Sequence, residues 1–166
     1  LAFSSKYLID ASNLDPAKRL SYKQAQAHEN YLQGTFCTLA ELKEMVDSGH
    51  VMVASHGHTH TNLLSKEVDL DVEIRQSRHL LEKALGVGIA CFVFPFGKYD
   101  ERILRESQQH YRYVFRIGNA IHKDFSGIKG VNYRVNGDGL KHPKEIFSPL
   151  NLARFWLKGI LKRLIA

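Results

Sequence analysis

Residues 51 to 64 read VMVASHGHTHTNLL, an apolar run that leads directly into His56, His58 and His60, three of the chain's nine histidines. Packing is a poor explanation for that density. Imidazoles at alternating positions repel one another when charged, and when neutral every ring nitrogen needs a partner. A divalent metal ion meets that need, since neutral imidazole is its commonest nitrogen ligand. Two backbone geometries are open. If 56–60 stays extended, all three rings share one side as an H-x-H arrangement. If the chain turns helically after Ser55, His56 and His60 stack at i and i+4 while His58 points away. Thr61 and Asn62, which bond their own backbone readily, suit a tight loop or a helix start. His56 and His60 are therefore the expected metal ligands, with His58 lining the substrate pocket. Two histidines, one carboxylate and an open position for water make the usual catalytic set, and Zn2+ is the default ion for it. The carboxylate is not identifiable: Asp10, Asp15, Asp47, Asp69, Asp71, Asp100, Asp124 and Asp138 include no acidic pair at the end of an apolar strand.

Such a site has to be held by elements that end at one edge. LAF at the start reads as a strand, and a helix is expected within YKQAQAHENYLQG. In TLAELKEMVDSGH, Thr38 and Glu41 form a capping box, Leu39, Leu42, Met45 and Val46 share a face, and Gly49 stops the helix. VMVAS follows as a buried strand. A long helix is expected from Lys66 to Leu85, striped by Leu70, Ile74, Leu81 and Leu85 and ended by Gly86. IACFVF reads as a strand covered on both faces. A short helix from Asp100 to about Gln109 precedes two further strands, YRYVFRI and VNYRV. This alternation predicts an α/β fold with a largely parallel sheet, whose sites lie at the carboxyl edge where strands give way to loops. Both the histidine cluster and PFGKYD fall at such strand ends. The chain divides into residues 1–148, carrying this pattern, and a basic amphipathic helix over 149–166 with Arg154, Lys158 and Lys162 spaced by four. That helix is expected to pack on the protein body, with peripheral membrane contact as the alternative.

The histidine segment and PFGKYD together resemble the polysaccharide deacetylases, the NodB-homology carbohydrate esterases. SHGHTHTNL is similar to that family's second motif, H-[ST]-x-x-H, and places its two metal-binding histidines on His56 and His60. Gly57 replaces the usual Ser or Thr, and Thr61 a common proline. CFVFPFGKYD resembles the third motif, which implies that Phe94, Pro95, Phe96, Gly97 and Tyr99 wall the substrate groove. The resemblance runs from residue 1 to about residue 140 and implies a distorted (β/α)7-type barrel. Its activity would be metal-dependent removal of N-acetyl groups from amino sugars of a polysaccharide or oligosaccharide. The family's first motif, a strand ending in two aspartates, would precede Leu1, so the resemblance implies either sequence before residue 1, the expected case, or a member without that strand, with a barrel incomplete at its first strand and weak or absent activity without that pair. Asp138 and His142 are weak candidates for later catalytic positions.

Two other readings come from other classes. One is a non-catalytic carbohydrate-binding homologue. The other is an amidohydrolase or phosphoesterase using His56 and His58 as an H-x-H pair, with His110, His122 and His142 as further ligands. The net charge of +6 favours anionic partners in general. No nucleic-acid-recognition pattern accompanies it, so no nucleic-acid partner is expected. No run of 18 apolar residues is present. Cys37 and Cys91 match no metal or redox spacing and read as small buried hydrophobes.

Overall fold

The computed structural model describes residues 1–8, 37–137, 140 and 142–165. The helix expected within residues 22–34 lies outside them, as do Asp10, Asp15 and Asp138. The chain forms two compact units, Leu1–Thr61 with Asp69–Ile89, and Asn62–Val68 with Ala90–Ala166.

In the first unit, strand β1 (Ala2–Phe3) pairs in parallel with β2 (Ala54–Ser55), Ala2 opposite Ala54. Helix α1 (Leu39–Asp47) has the anticipated capping box: the Thr38 hydroxyl accepts from the Glu41 amide at 3.2 Å, and the Glu41 carboxylate accepts from the Thr38 amide at 2.9 Å. Leu42 is its fully buried anchor, and the chain leaves the helix through Gly49 at φ 73°. VMVAS departs from the fully buried strand expected of it. Val53 and Ser55 are buried but Met52 is 71% exposed, because the segment alternates faces rather than being covered on both.

The long helix also differs from its sequence reading. It begins at Leu70 rather than Lys66, because the Asp69 carboxylate accepts from the Asp71 amide at 2.9 Å and opens the helix there. Asp71–Gln76 winds as a π-helix before the α-helix α2 (Ser77–Leu85) takes over, and the Ser77 amide donates to the Val72 carbonyl five residues back. Its buried face is not wholly apolar. Ile74, Leu81 and Leu85 are buried as anticipated, but Glu73 and Ser77 are buried among them. The Ser77 and Ser55 hydroxyls bond at 2.7 Å, tying α2 to the end of β2.

The second unit holds three parallel strands, β3 (Cys91–Val93), β4 (Tyr113–Ile117) and β5 (Val131–Arg134), with Phe92 opposite Val114 and Val114 opposite Val131. Every residue of β3 is buried, as a two-sided strand requires. Phe92 meets Phe94 edge-on at 5.4 Å and Tyr111 at 5.0 Å. Between β3 and β4 lies α3 (Glu101–His110), opened by the Asp100 side chain accepting from the Ile103 amide at 2.8 Å. Helix α4 (Pro149–Ile165) closes the unit. It seats Phe155 and Gly159, and the Phe155 carbonyl accepts from the Ile121 amide at 3.2 Å. A Cβ on Gly159 would stand 2.4 Å from the Ile121 carbonyl oxygen. Gly159→Ala is therefore expected to lower stability by about 1–3 kcal/mol through overpacking, despite alanine's better helix propensity. A chemical denaturation curve measures this.

Candidate metal centre

The loop after β2 is bonded on two sides. On one side, β1 and the short 3-10 turn Ser5–Tyr7 continue the pairing beyond the strand. The His56 amide donates to the Phe3 carbonyl at 2.9 Å, the Ser4 hydroxyl donates to the His56 carbonyl at 2.9 Å, and the Ser5 and Lys6 amides donate to the carbonyls of Gly57 and His58 at 3.1 and 3.0 Å. On the other side the Glu73 carboxylate accepts from the His58 amide at 2.7 Å, from the Thr59 amide at 3.1 Å and from the Thr59 hydroxyl at 2.5 Å. Glu73 is only 4% exposed. A carboxylate that deep is tolerated when its oxygens are saturated with donors, and here the loop backbone supplies them.

Neither backbone geometry open to the sequence is adopted. The segment is neither extended nor helical. It turns at two residues of left-handed conformation, Gly57 at φ 81° and His60 at φ 57°. The first explains a glycine at that position. The second is unusual for a side-chain-bearing residue and is often found where function demands it. The two turns bring the His56 and His60 rings to a centroid separation of 4.7 Å at an interplanar angle of 53°. The His58 ring makes a different contact, its Nδ1 2.8 Å from the Ser5 hydroxyl. Burial pushes the His60 imidazole below its ordinary pKa, against the opposing pull of the Glu73 carboxylate. A ring biased toward neutrality is one ready to donate a lone pair.

These two imidazoles fit part of a divalent coordination set. Among the described residues no third His, Cys, Asp or Glu joins them as a group. Several described aspartates have structural roles. Asp69 and Asp100 open helices, Asp71 pairs with Arg75, and Asp124 accepts from the Ser126 amide at 2.8 Å. The further histidines that an H-x-H hydrolase would recruit are similarly engaged. His122 accepts from the Tyr133 amide through Nε2 and faces the Asp124 carbonyl through Nδ1, and His110 lies 3.2 Å from Glu106 on its own helix. His142 is exposed and precedes a 3-10 turn, its carbonyl accepting from the Glu145 amide.

In the second unit, Phe94, Pro95 and Gly97 are buried, so they shape the PFG turn rather than offer surface. Phe94 stacks on Tyr99 at 4.6 Å and 15°, and the Arg116 guanidinium lies 5.3 Å over the Tyr99 ring. The turn lifts Phe96 to φ 56° and leaves it 60% exposed. Of the aromatic set anticipated for substrate, Phe96 is the exposed one.

Glu73 is the residue the sequence reading missed. The available signal was an acidic residue one position before a core residue, Ile74, of an amphipathic helix; its partners lie 14 and 15 residues away and carry no motif.

The sequence profile described as polysaccharide deacetylase matches residues 20–114. No curated protein matches significantly. Among solved structures, the chain is similar to a polysaccharide deacetylase of Bacillus cereus, with 28% identity and a TM-score of 0.54 over 59% of this chain and 31% of that one. It is similar to one of Bacillus anthracis at 24% identity and a TM-score of 0.53, over 60% of this chain and 31% of that one. A de-N-acetylase of Aggregatibacter actinomycetemcomitans shares the fold at 18% identity and a TM-score of 0.57, over 81% of this chain and 57% of that one. The chain thus spans about a third of the length of the two Bacillus proteins.

Proposed function

Because the chain belongs to the polysaccharide deacetylase family, we propose that it takes part in hydrolysing the acetamide groups of amino sugars in a polysaccharide or oligosaccharide, with a divalent cation held in part by His56 and His60. The observation that carries this reading is the approach of those two rings to 4.7 Å at a strand end. An acetamide is a poor electrophile, and a divalent ion, Zn2+ by default, supplies the Lewis acidity its cleavage requires. The protein's own residues supply position. Gly57 and His60 set the turn, Glu73 holds its backbone, and the Ser5 hydroxyl bonds the His58 ring. In the second unit, Phe96 is the exposed aromatic residue proposed for sugar contact.

A calorimetric titration of the chain with zinc is expected to show one ion per molecule, competed away by a chelator. Acetate release from an N-acetylated chito-oligosaccharide is expected to be weak, since the described residues gather two donors rather than three, but sensitive to the chelator. Absence of zinc binding would sink the reading. Oligosaccharide binding with no chelator-sensitive acetate favours the second reading, a carbohydrate-binding homologue without catalysis.

A further inference from the structure

Helix α4 is amphipathic, but its apolar line faces outward. Phe155 and Gly159 mark the seated side, where the Lys162 ammonium also lies, 4.6 Å over the Tyr133 ring. On the opposite side Leu150, Leu157, Leu161 and Leu164 follow one another at helical spacing and are 80%, 53%, 47% and 77% exposed. Arg154 and Arg163, both exposed, stand to either side of this line, and Trp156 is 61% exposed beside it. Pro149–Ile165 contains four basic residues and no acidic one. Burial holds the Lys162 ammonium below its ordinary pKa, and the neighbouring Arg116 and Lys158 charges add to the effect.

We propose that the outward face of α4 docks on a lipid bilayer rich in anionic headgroups, with the four leucines among the acyl chains and the arginines at the phosphates. No helix among the described residues is long and apolar enough to cross a membrane, and a line of leucines on one face flanked by basic residues is the pattern of a helix lying in the interface. Charge selects this occupant over a second copy of the chain. Two α4 helices packed leucine to leucine would set two surfaces of net positive charge, each with Arg154 beside the leucines, against each other with no carboxylate on either helix to neutralise them, whereas an anionic surface neutralises that charge. This inference is independent of the metal site.

The test is flotation of the protein with vesicles of phosphatidylcholine alone or mixed equally with phosphatidylglycerol, at low and high salt. Binding to the anionic vesicles is expected to exceed binding to the neutral ones by about tenfold or more and to weaken with salt. The pair Leu157→Asp with Leu164→Asp is expected to remove it, and the pair Arg154→Glu with Arg163→Glu to reduce it about tenfold or more. Both pairs should leave the melting temperature unchanged, because all four side chains are exposed. The proposal is overturned if no vesicle binds, if binding survives the aspartate pair, or if sedimentation shows a dimer that the aspartate pair dissociates.

Discussion

His60→Gly is expected to abolish zinc binding while leaving the protein as stable as before, or more so. With two imidazoles as the donors the described residues bring together, losing one removes half of that set and is expected to lower affinity by roughly a hundredfold or more. Stability should move differently, because His60 sits at φ 57°, where a Cβ is strained and glycine is not. Relief of that strain opposes the greater chain entropy of glycine, for a net effect between zero and about 1 kcal/mol of stabilisation. Zinc titration beside a denaturation curve reads both quantities. His56→Ala should lose zinc as well, and His58→Ala should lose far less, since its Nδ1 is turned to the Ser5 hydroxyl. If zinc is lost with His58 and kept with His60, the H-x-H reading is the correct one.

Glu73→Gln should reach the same site from the far side of the loop. The carboxylate accepts from the amides of His58 and Thr59 and from the Thr59 hydroxyl, all within the turn that joins the two candidate ligands. An amide keeps the shape but replaces one acceptor by a donor aimed at another donor, leaving buried N–H groups without partners. The expected cost is about 2–4 kcal/mol. Zinc affinity should fall about 10–100-fold, as when a group that orients a metal ligand is removed. Thr59→Val is the milder companion, since it removes the hydroxyl and keeps both amide bonds; it should weaken zinc less than Glu73→Gln. A loss of stability with zinc affinity intact, measured at a temperature where the variant is folded, would reduce Glu73 to a structural role.

Much of this architecture is written in local pattern. The capping box at Thr38 and Glu41, the Gly49 exit and the uninterrupted apolar run of β3 each depend on neighbours a few residues apart, so a linear reading finds them. The pairing of His56 with His60 was also legible, although by a different turn from the helical one considered. What escaped depends on distant partners. Glu73 and Ser77 interrupt the expected apolar stripe because their acceptors and donors lie on the loop and at the end of β2. The face that α4 presents was equally hidden: Lys162 lies over Tyr133 on the seated side, a place that spacing alone assigns to leucine.

The wide turn of the π-helical stretch Asp71–Gln76 accommodates one more residue than an α-helix in nearly the same length. Removing a single amino acid there would let the backbone relax to ordinary winding with the flanking turns still in phase, while the residues of the wide turn itself are redistributed around the axis. The acidic group under the histidine loop is thus aimed by a slack coil, and its aim is adjustable by length as well as by side-chain chemistry.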